Sequence, residues 1–157
     1  MKAVPAKIVS GGQTGADRAA LDWAIARGIA HGGWCPKGRR AEDGPIDPCY
    51  ALTETPSRRY AERTLWNVRD SDATLIANFG RLDGGSLVTR RFAEALARSC
   101  LVVQIEDEDA PTVTRRWLDT IRPATLNIAG PRESRRPGIY ARTLWLLDAL
   151  IPPTSTG

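Results

Sequence analysis

Residues 7–27 read KIVSGGQTGADRAALDWAIAR. Lys7 to Ser10 is a short apolar run closed by Gly11-Gly12, which predicts a strand running into a tight turn. From Ala16 to Arg27 the residues Ala20, Leu21, Ala24 and Ile25 fall on one helical face, and Gly28 supplies the stop. The same succession of strand and helix recurs along the chain. A second strand is expected within Ala30–Pro36, and a long loop over Lys37–Pro56, where Gly and Pro are frequent and no period shows. Ser57 reads as the N-cap of a helix running to about Arg69, with Ala61, Leu65 and Val68 inward. Ala73–Phe79 is the clearest strand, Gly80–Gly85 a second glycine-rich turn, and Ser86 the cap of a helix to about Arg98. A strand at Leu101–Ile105, a helix opened by Pro111, a strand at Thr125–Ala129 and a helix opened by Pro137 and stopped by Pro152-Pro153 complete the pattern.

Such alternation predicts an α/β fold: a three-layer α/β/α sandwich with a mostly parallel central sheet of about five strands, forming one domain over residues 1–157. Right-handed crossovers place the strand-to-helix loops on one rim of the sheet, and ligands bind there near the point where the strand order reverses. A composition of 42% hydrophobic and 25% charged residues belongs to a folded domain rather than a disordered chain. No apolar run approaches the roughly 18 residues that span a bilayer. The start, MKAVPAKIVSGG, has neither an apolar signal core nor a cleavage site. Cys35, Cys49 and Cys100 have no paired spacing, so reduced thiols and a cytoplasmic setting are expected. The net charge of +4 is too modest to announce a nucleic-acid binder. Of 22 basic residues only Lys2, Lys7 and Lys37 are lysines, and guanidinium holds phosphate and carboxylate in bidentate fashion. Arginines on helix faces, such as Arg58, Arg59 and Arg98, read most simply as composition.

The first turn, Ser10 to Arg18, carries three glycines between a strand and a helix. Positive φ and close backbone approach become possible there, and the free amides of the helix start point toward an anion. It is neither GxGxxG nor a Gly-Lys-Ser/Thr loop, so dinucleotide and Walker chemistry do not follow. The turn Gly80 to Ser86, with Thr89 one turn on, is a second loop of the same kind. In the middle loop Lys37, Arg39 and Arg40 stand near Trp34, whose ring offers a stacking surface. Tyr60, Arg63 and Asn67 form a polar stripe on the second helix, and Gly130–Ser134 with Arg132 makes a third rim loop. Each of these also has a plain structural use, as a capped turn or a solvated helix face. His31 is the sole histidine, which disfavours a histidine-based metal site or triad.

SGGQTGAD (10–17), GGWCPKGRRAEDGPI (32–46), YAERTLWNVRDSDATLI (60–76), the Gly84-Gly85 turn and AGPRES (129–134) occur in this order. With them the chain resembles the molybdenum cofactor carrier proteins, a circularly permuted, YpsA-like branch of the SLOG superfamily of Rossmann-like folds. The likeness runs from about Lys7 to Leu150. It implies a carrier that binds and protects molybdenum cofactor (molybdopterin), a molybdate-like oxyanion or another small phosphorylated ligand, with a nucleotide as the alternative. It also implies a homo-oligomer, dimer or tetramer, that deals with molybdoenzymes or cofactor-synthesis proteins. The ligand-binding set carried over by motif is Gly11, Gly12, Gln13, Thr14, Gly15, Asp17 and Arg18 from the first loop. Trp34, Lys37, Gly38, Arg39 and Arg40 come from the middle loop, Arg63 and Asn67 from the second helix, and Gly84, Gly85, Ser86 and Thr89 from the second glycine loop. No catalytic residue and no metal ligand is assigned.

Phosphoribohydrolases of the superfamily carry PGGxGTxxE. Here Leu87-Val88 replaces the second Gly-Thr and Arg91 stands at the glutamate position, which argues against N-glycosidic hydrolysis. A hydrolase would need another base, such as Asp17, Asp43 or Glu54. The first loop also resembles the SGxxxGxD turn of DNA-processing relatives, which makes a single-stranded nucleic-acid binder the third reading.

Overall fold

The structure is a computed structural model, and it describes residues 2–152. Five parallel strands form the central sheet in the order β2 (Ala30–Gly32), β1 (Lys7–Val9), β7 (Thr125–Ala129), β5 (Ala73–Asn78), β6 (Ser99–Gln104). Helices α1 (Ala16–Ala26), α4 (Ala110–Ile121) and α5 (Ile139–Leu150) pack together on one face. Helices α2 (Tyr60–Arg69) and α3 (Gly84–Ala95) cover the other. The expected three-layer sandwich with a five-stranded parallel sheet is therefore the observed one. Every residue of β5 is buried, as a central parallel strand covered on both faces requires. Ile8, Leu75, Leu126 and Ile128 from the strands meet Ala20, Trp23, Leu118, Leu146 and Leu147 from the helices in one core. No helix among the described residues is long and apolar enough to cross a membrane.

The expected strand within Ala30–Pro36 is two strands in two sheets. Gly33 turns the chain at φ +131°, and a Cβ there would stand 2.3 Å from Ser10 O. The chain leaves the main sheet at this point and forms β3 (Trp34–Cys35), parallel to β4 (Thr53–Glu54). The amide of Asn67 fixes the switch, accepting from Trp34 N at 2.7 Å and donating to Trp34 O at 3.0 Å. So the segment expected as a loop over Lys37–Pro56 contains a short strand near its end.

Helix starts differ from the expected ones for identifiable reasons. Ser57 does not open α2: its Oγ accepts from Arg59 N, its own N donates to Glu62 Oε1, and the helix begins at Tyr60. The α3 helix begins at Gly84, so Ser86 lies in its first turn rather than at its cap. The α5 helix begins at Ile139, two residues past Pro137. Glu133 accepts there from Gly138 N at 2.7 Å and Tyr140 N at 2.9 Å, placing a carboxylate at the positive end of the helix.

Where β7 ends, Gly130 lies between neighbours that leave no room for a side chain. A Cβ on it would stand 2.4 Å from Ala77 O and 2.6 Å from the Ala16 methyl. Gly130→Ala is expected to destabilise the domain by roughly 1–3 kcal/mol through overpacking at this junction. Urea unfolding monitored by tryptophan fluorescence measures it, and an unchanged midpoint would contradict the packing described.

Candidate functional site

The strand order creates the site. The chain leaves β1 toward β2 through α1, and it leaves β5 toward β6 through α3, in the opposite direction along the sheet. Because β7 lies between them, the loops after β1, β5 and β7 border one crevice at the carboxyl ends of the strands. A cleft of about 230 Å³ occupies it. Gln13 and Asp17 line it from the β1 side, and Tyr60, Ala61, Arg63 and Thr64 from α2. Asp83, Gly85, Ser86, Val88 and Thr89 come from α3 and its approach, and Ala129–Arg132 with Arg135 from the segment after β7.

At the α3 side the helix start has no side-chain cap and no acidic residue in its first turn. The Asp83 carboxylate is turned to guanidinium groups instead, 3.6 Å from Arg135 and 3.3 Å from Arg136. Gly84 has φ +52°, and Arg135 lies so close that a Cβ on Gly84 would be 3.3 Å from its guanidinium carbon. A cation therefore rests against the positive end of a helix dipole, an arrangement that an anion between them would relieve. Ser86 and Thr89 are buried beneath, and the Thr89 hydroxyl donates to Gly85 O at 2.8 Å.

The β1 side is built differently. The Gln13 amide donates to Asp17 Oδ2 at 3.3 Å, and the Ala16 amide to Pro131 O at 3.2 Å. Two of the amides expected to cradle an anion are thus engaged within the protein. Asp17 is only 2% exposed and pairs with Arg63 Nη1 at 3.4 Å. Gly11 makes this reach possible, since a Cβ there would stand 2.0 Å from Arg63 Nη1. Burial pushes the Asp17 carboxyl above its ordinary range, against the pull of Arg63 and the Gln13 amide. Burial also lowers Arg63, opposed by Asp17. The guanidinium carbons of Arg40 and Arg132 sit 4.6 and 4.3 Å from the centre of the Tyr60 ring.

The sequence of residues 8–151 matches the model of the circularly permutated YpsA SLOG family. The chain belongs to that family. It is similar to a protein of Syntrophus aciditrophicus SB whose crystal structure, at 1.45 Å resolution, is described as that of a "Putative molybdenum carrier protein". The two are 47% identical with a TM-score of 0.93, over 96% of this chain and 98% of that one. No curated protein matches the chain.

In this member of the SLOG family, Gln13, Asp17, Arg63, Gly85, Ser86 and Thr89 of the expected ligand set line the cleft. Others serve the frame around it. Arg39 donates to the carbonyls of Ile46, Asp47, Tyr50 and Leu52, which curls the middle loop around its guanidinium. Arg18 holds Gly12 O and the Asp43 carboxylate. Gly12 leaves room for Leu52 and Ile46, and Gly15 for the Pro131 carbonyl. Gly38 donates its amide to Glu54. Thr14 bonds Glu42, and Asn67 grips the Trp34 backbone. Trp34 packs edge-on against Trp66 at 4.8 Å, donates to Asp70, and borders a separate depression beside Lys7. Lys37 and Gly84 are not among the cleft-lining residues, although Arg135 lies against Gly84. Of the candidate bases Asp17, Asp43 and Glu54, Asp17 alone lines the cleft. Arg91, at the position of the hydrolase glutamate, is exposed. The lining residues Tyr60, Ala61, Thr64, Asp83, Val88, Ala129–Arg132 and Arg135 were outside the expected ligand set. The Arg135-Arg136 pair just after the third rim loop is a signal for Arg135, but the sequence does not tell it from Arg136, which holds Phe79 O and Arg81 O instead.

Acidic residues of the middle loop clamp it down. Glu42 accepts from the Thr14 hydroxyl and from Ser134 Oγ at 2.5 Å, so it joins the middle loop to the segments after β1 and β7. Both Glu42 and Asp43 are held below their ordinary values, Glu42 by the Ser134 and Thr14 hydroxyls and Asp43 by Arg18. A lowered carboxyl stabilises the folded loop fully above its unfolded value and loses that contribution as pH falls through the folded one. The loop is therefore expected to loosen below the ordinary values of 4.5 and 3.8. Hydrogen exchange of residues 39–46, referenced to core amides, should show reduced protection at pH 3 relative to pH 7. Glu42→Gln should lessen the change; an identical profile in that variant would refute the assignment.

Proposed function

We propose that the chain is a carrier that holds molybdenum cofactor, or a related phosphorylated ligand, in the cleft between the loops after β1, β5 and β7. The observation that carries this reading is the uncapped start of α3 facing Arg135, with Arg132 and Arg63 on the same cleft. Three guanidinium groups against the carboxylates of Asp17 and Asp83 leave the cleft positive. A phosphate or oxo-anion at the helix start would satisfy free amides, the helix dipole and Arg135 together. The likeness to the Syntrophus protein supports molybdenum as part of the cargo.

The cleft volume of about 230 Å³ lies below the roughly 300–1,000 Å³ of pockets that bury larger ligands. It would enclose one end of a cofactor-sized ligand while the remainder crosses the mouth. Holding such a cargo requires charge matching and shielding, and no acid, base or nucleophile. On this reading the protein works in the cytoplasm and exchanges its ligand with cofactor-synthesis proteins or molybdoenzymes. It does so as a homo-oligomer, with Trp145 on α5 as the contact. That side chain is 50% exposed, while Trp23 is buried and Trp34, Trp66 and Trp117 are half-buried.

Anaerobic titration with molybdenum cofactor, followed by absorbance, should saturate at micromolar concentration. The double variant Arg132→Ala, Arg135→Ala should bind at least about tenfold more weakly, since two charge-assisted contacts are lost. Equal affinity, or no binding by the unmodified protein, would overturn the carrier reading. Light scattering should give a mass above the 17.1 kDa of one chain, reduced by Trp145→Ala; a mass of one chain would overturn the oligomer.

A further inference from the structure

Two buried polar atoms of cleft-lining residues, one after β1 and one on α2, have no hydrogen-bond partner. They are Gln13 Oε1 and Arg63 Nε. Gln13 is 2% exposed, and its Nε2 donates to Arg40 O at 2.9 Å. That bond fixes which way the amide points and leaves its oxygen as the free atom. Buried polar groups are nearly always paired, so two orphans on one wall call for a partner that the folded chain does not supply. Asp17 joins the two residues, accepting from the Gln13 backbone N–H at 3.3 Å and from Arg63 Nη1 at 3.4 Å, both through Oδ2. The wall therefore presents two acceptors, Gln13 Oε1 and the Asp17 carboxylate, beside one donor, Arg63 Nε–H.

We propose that this wall recognises the amino-oxo edge of a 2-amino-4-oxopyrimidine ring, the edge that pterins and guanine share. The inference rests on the reading that the cleft takes a phosphorylated ligand. That edge offers an NH₂ and a ring N–H as donors and a carbonyl as acceptor, the complement of the wall. An adenine edge, with one amino donor beside a bare ring nitrogen, leaves an acceptor of the wall unpaired. Molybdate or phosphate alone leaves the whole wall unpaired. The cleft thus has an anion end at α3 and a ring-reading end at Gln13, Asp17 and Arg63.

Calorimetric titration of the full chain with guanosine, inosine and adenosine monophosphates and ribose 5-phosphate tests it. Guanosine monophosphate should bind about tenfold more tightly than inosine monophosphate, which lacks only the 2-amino group, because a buried acceptor is left unpaired. Adenosine monophosphate should bind no better than ribose 5-phosphate. Gln13→Leu should collapse the guanosine-to-inosine ratio toward one. Should that variant fail to fold, the series on the unmodified protein still decides. If ribose 5-phosphate binds and the guanosine and inosine nucleotides bind alike, the ring-reading wall is refuted while the anion end stands. If nothing in the series binds, both readings fall. A pterin bearing a phosphate ester, added against bound guanosine monophosphate, separates the two sources. Displacement at lower concentration identifies a pterin, and displacement only in large excess a guanine nucleotide.

Discussion

Everything at the rim depends on how closely three backbones approach one another at Gly130 and Gly15. The end of β7 passes between β5 and the start of α1 with no room for a side chain, and Gly15 lets the Pro131 carbonyl reach the Ala16 amide. β7 fills the place between β1 and β5, from which the chain runs outward in opposite directions. Without that approach the loops after β1 and β5 would splay, and the residues of the cleft would not share one space. A hydrogen bond ties the junction internally, which explains why the first glycine loop spends its amides on the protein itself.

The arginine excess divides along the same line. Arg18, Arg39, Arg115 and Arg136 are turned to backbone carbonyls and acidic side chains, where a planar group with five donors can fasten several strands of chain at once. Arg132 and Arg135 remain at the cleft, the first against Tyr60 and the second against the α3 start. With Arg63 they outnumber the Asp17 and Asp83 carboxylates on the cleft by one charge.

Much of this was legible in the sequence. Strand and helix periods, the two glycine turns and Arg132 in the third rim loop were all local signals, and local signals survive folding. The transfer of the chain between sheets at Gly33 was not legible, because β3 and β4 are two residues each and depend on Asn67, thirty-three positions away. The uses of Arg39 and Arg18 were hidden for the same reason. A guanidinium beside glycines looks the same whether it will meet a ligand or four carbonyls. Asp17 stands in the first turn of α1, and its burial against Arg63 depends on Gly11 having no side chain, a relation between a gap and a distant residue.

Glu42 joins residues 14 and 134, which are 28 and 92 positions from it along the chain. Contacts between such distant positions reward the chain only after the intervening loops have closed. The β1–β7 pairing of the sheet, Lys7 opposite Thr125, closes a longer loop still, and Glu42 falls within it. Its bonds to the Thr14 and Ser134 hydroxyls are exposed, so the clasp can open again without unfolding the sheet. A rim fastened through one exposed carboxylate can thus come apart while the core stays whole.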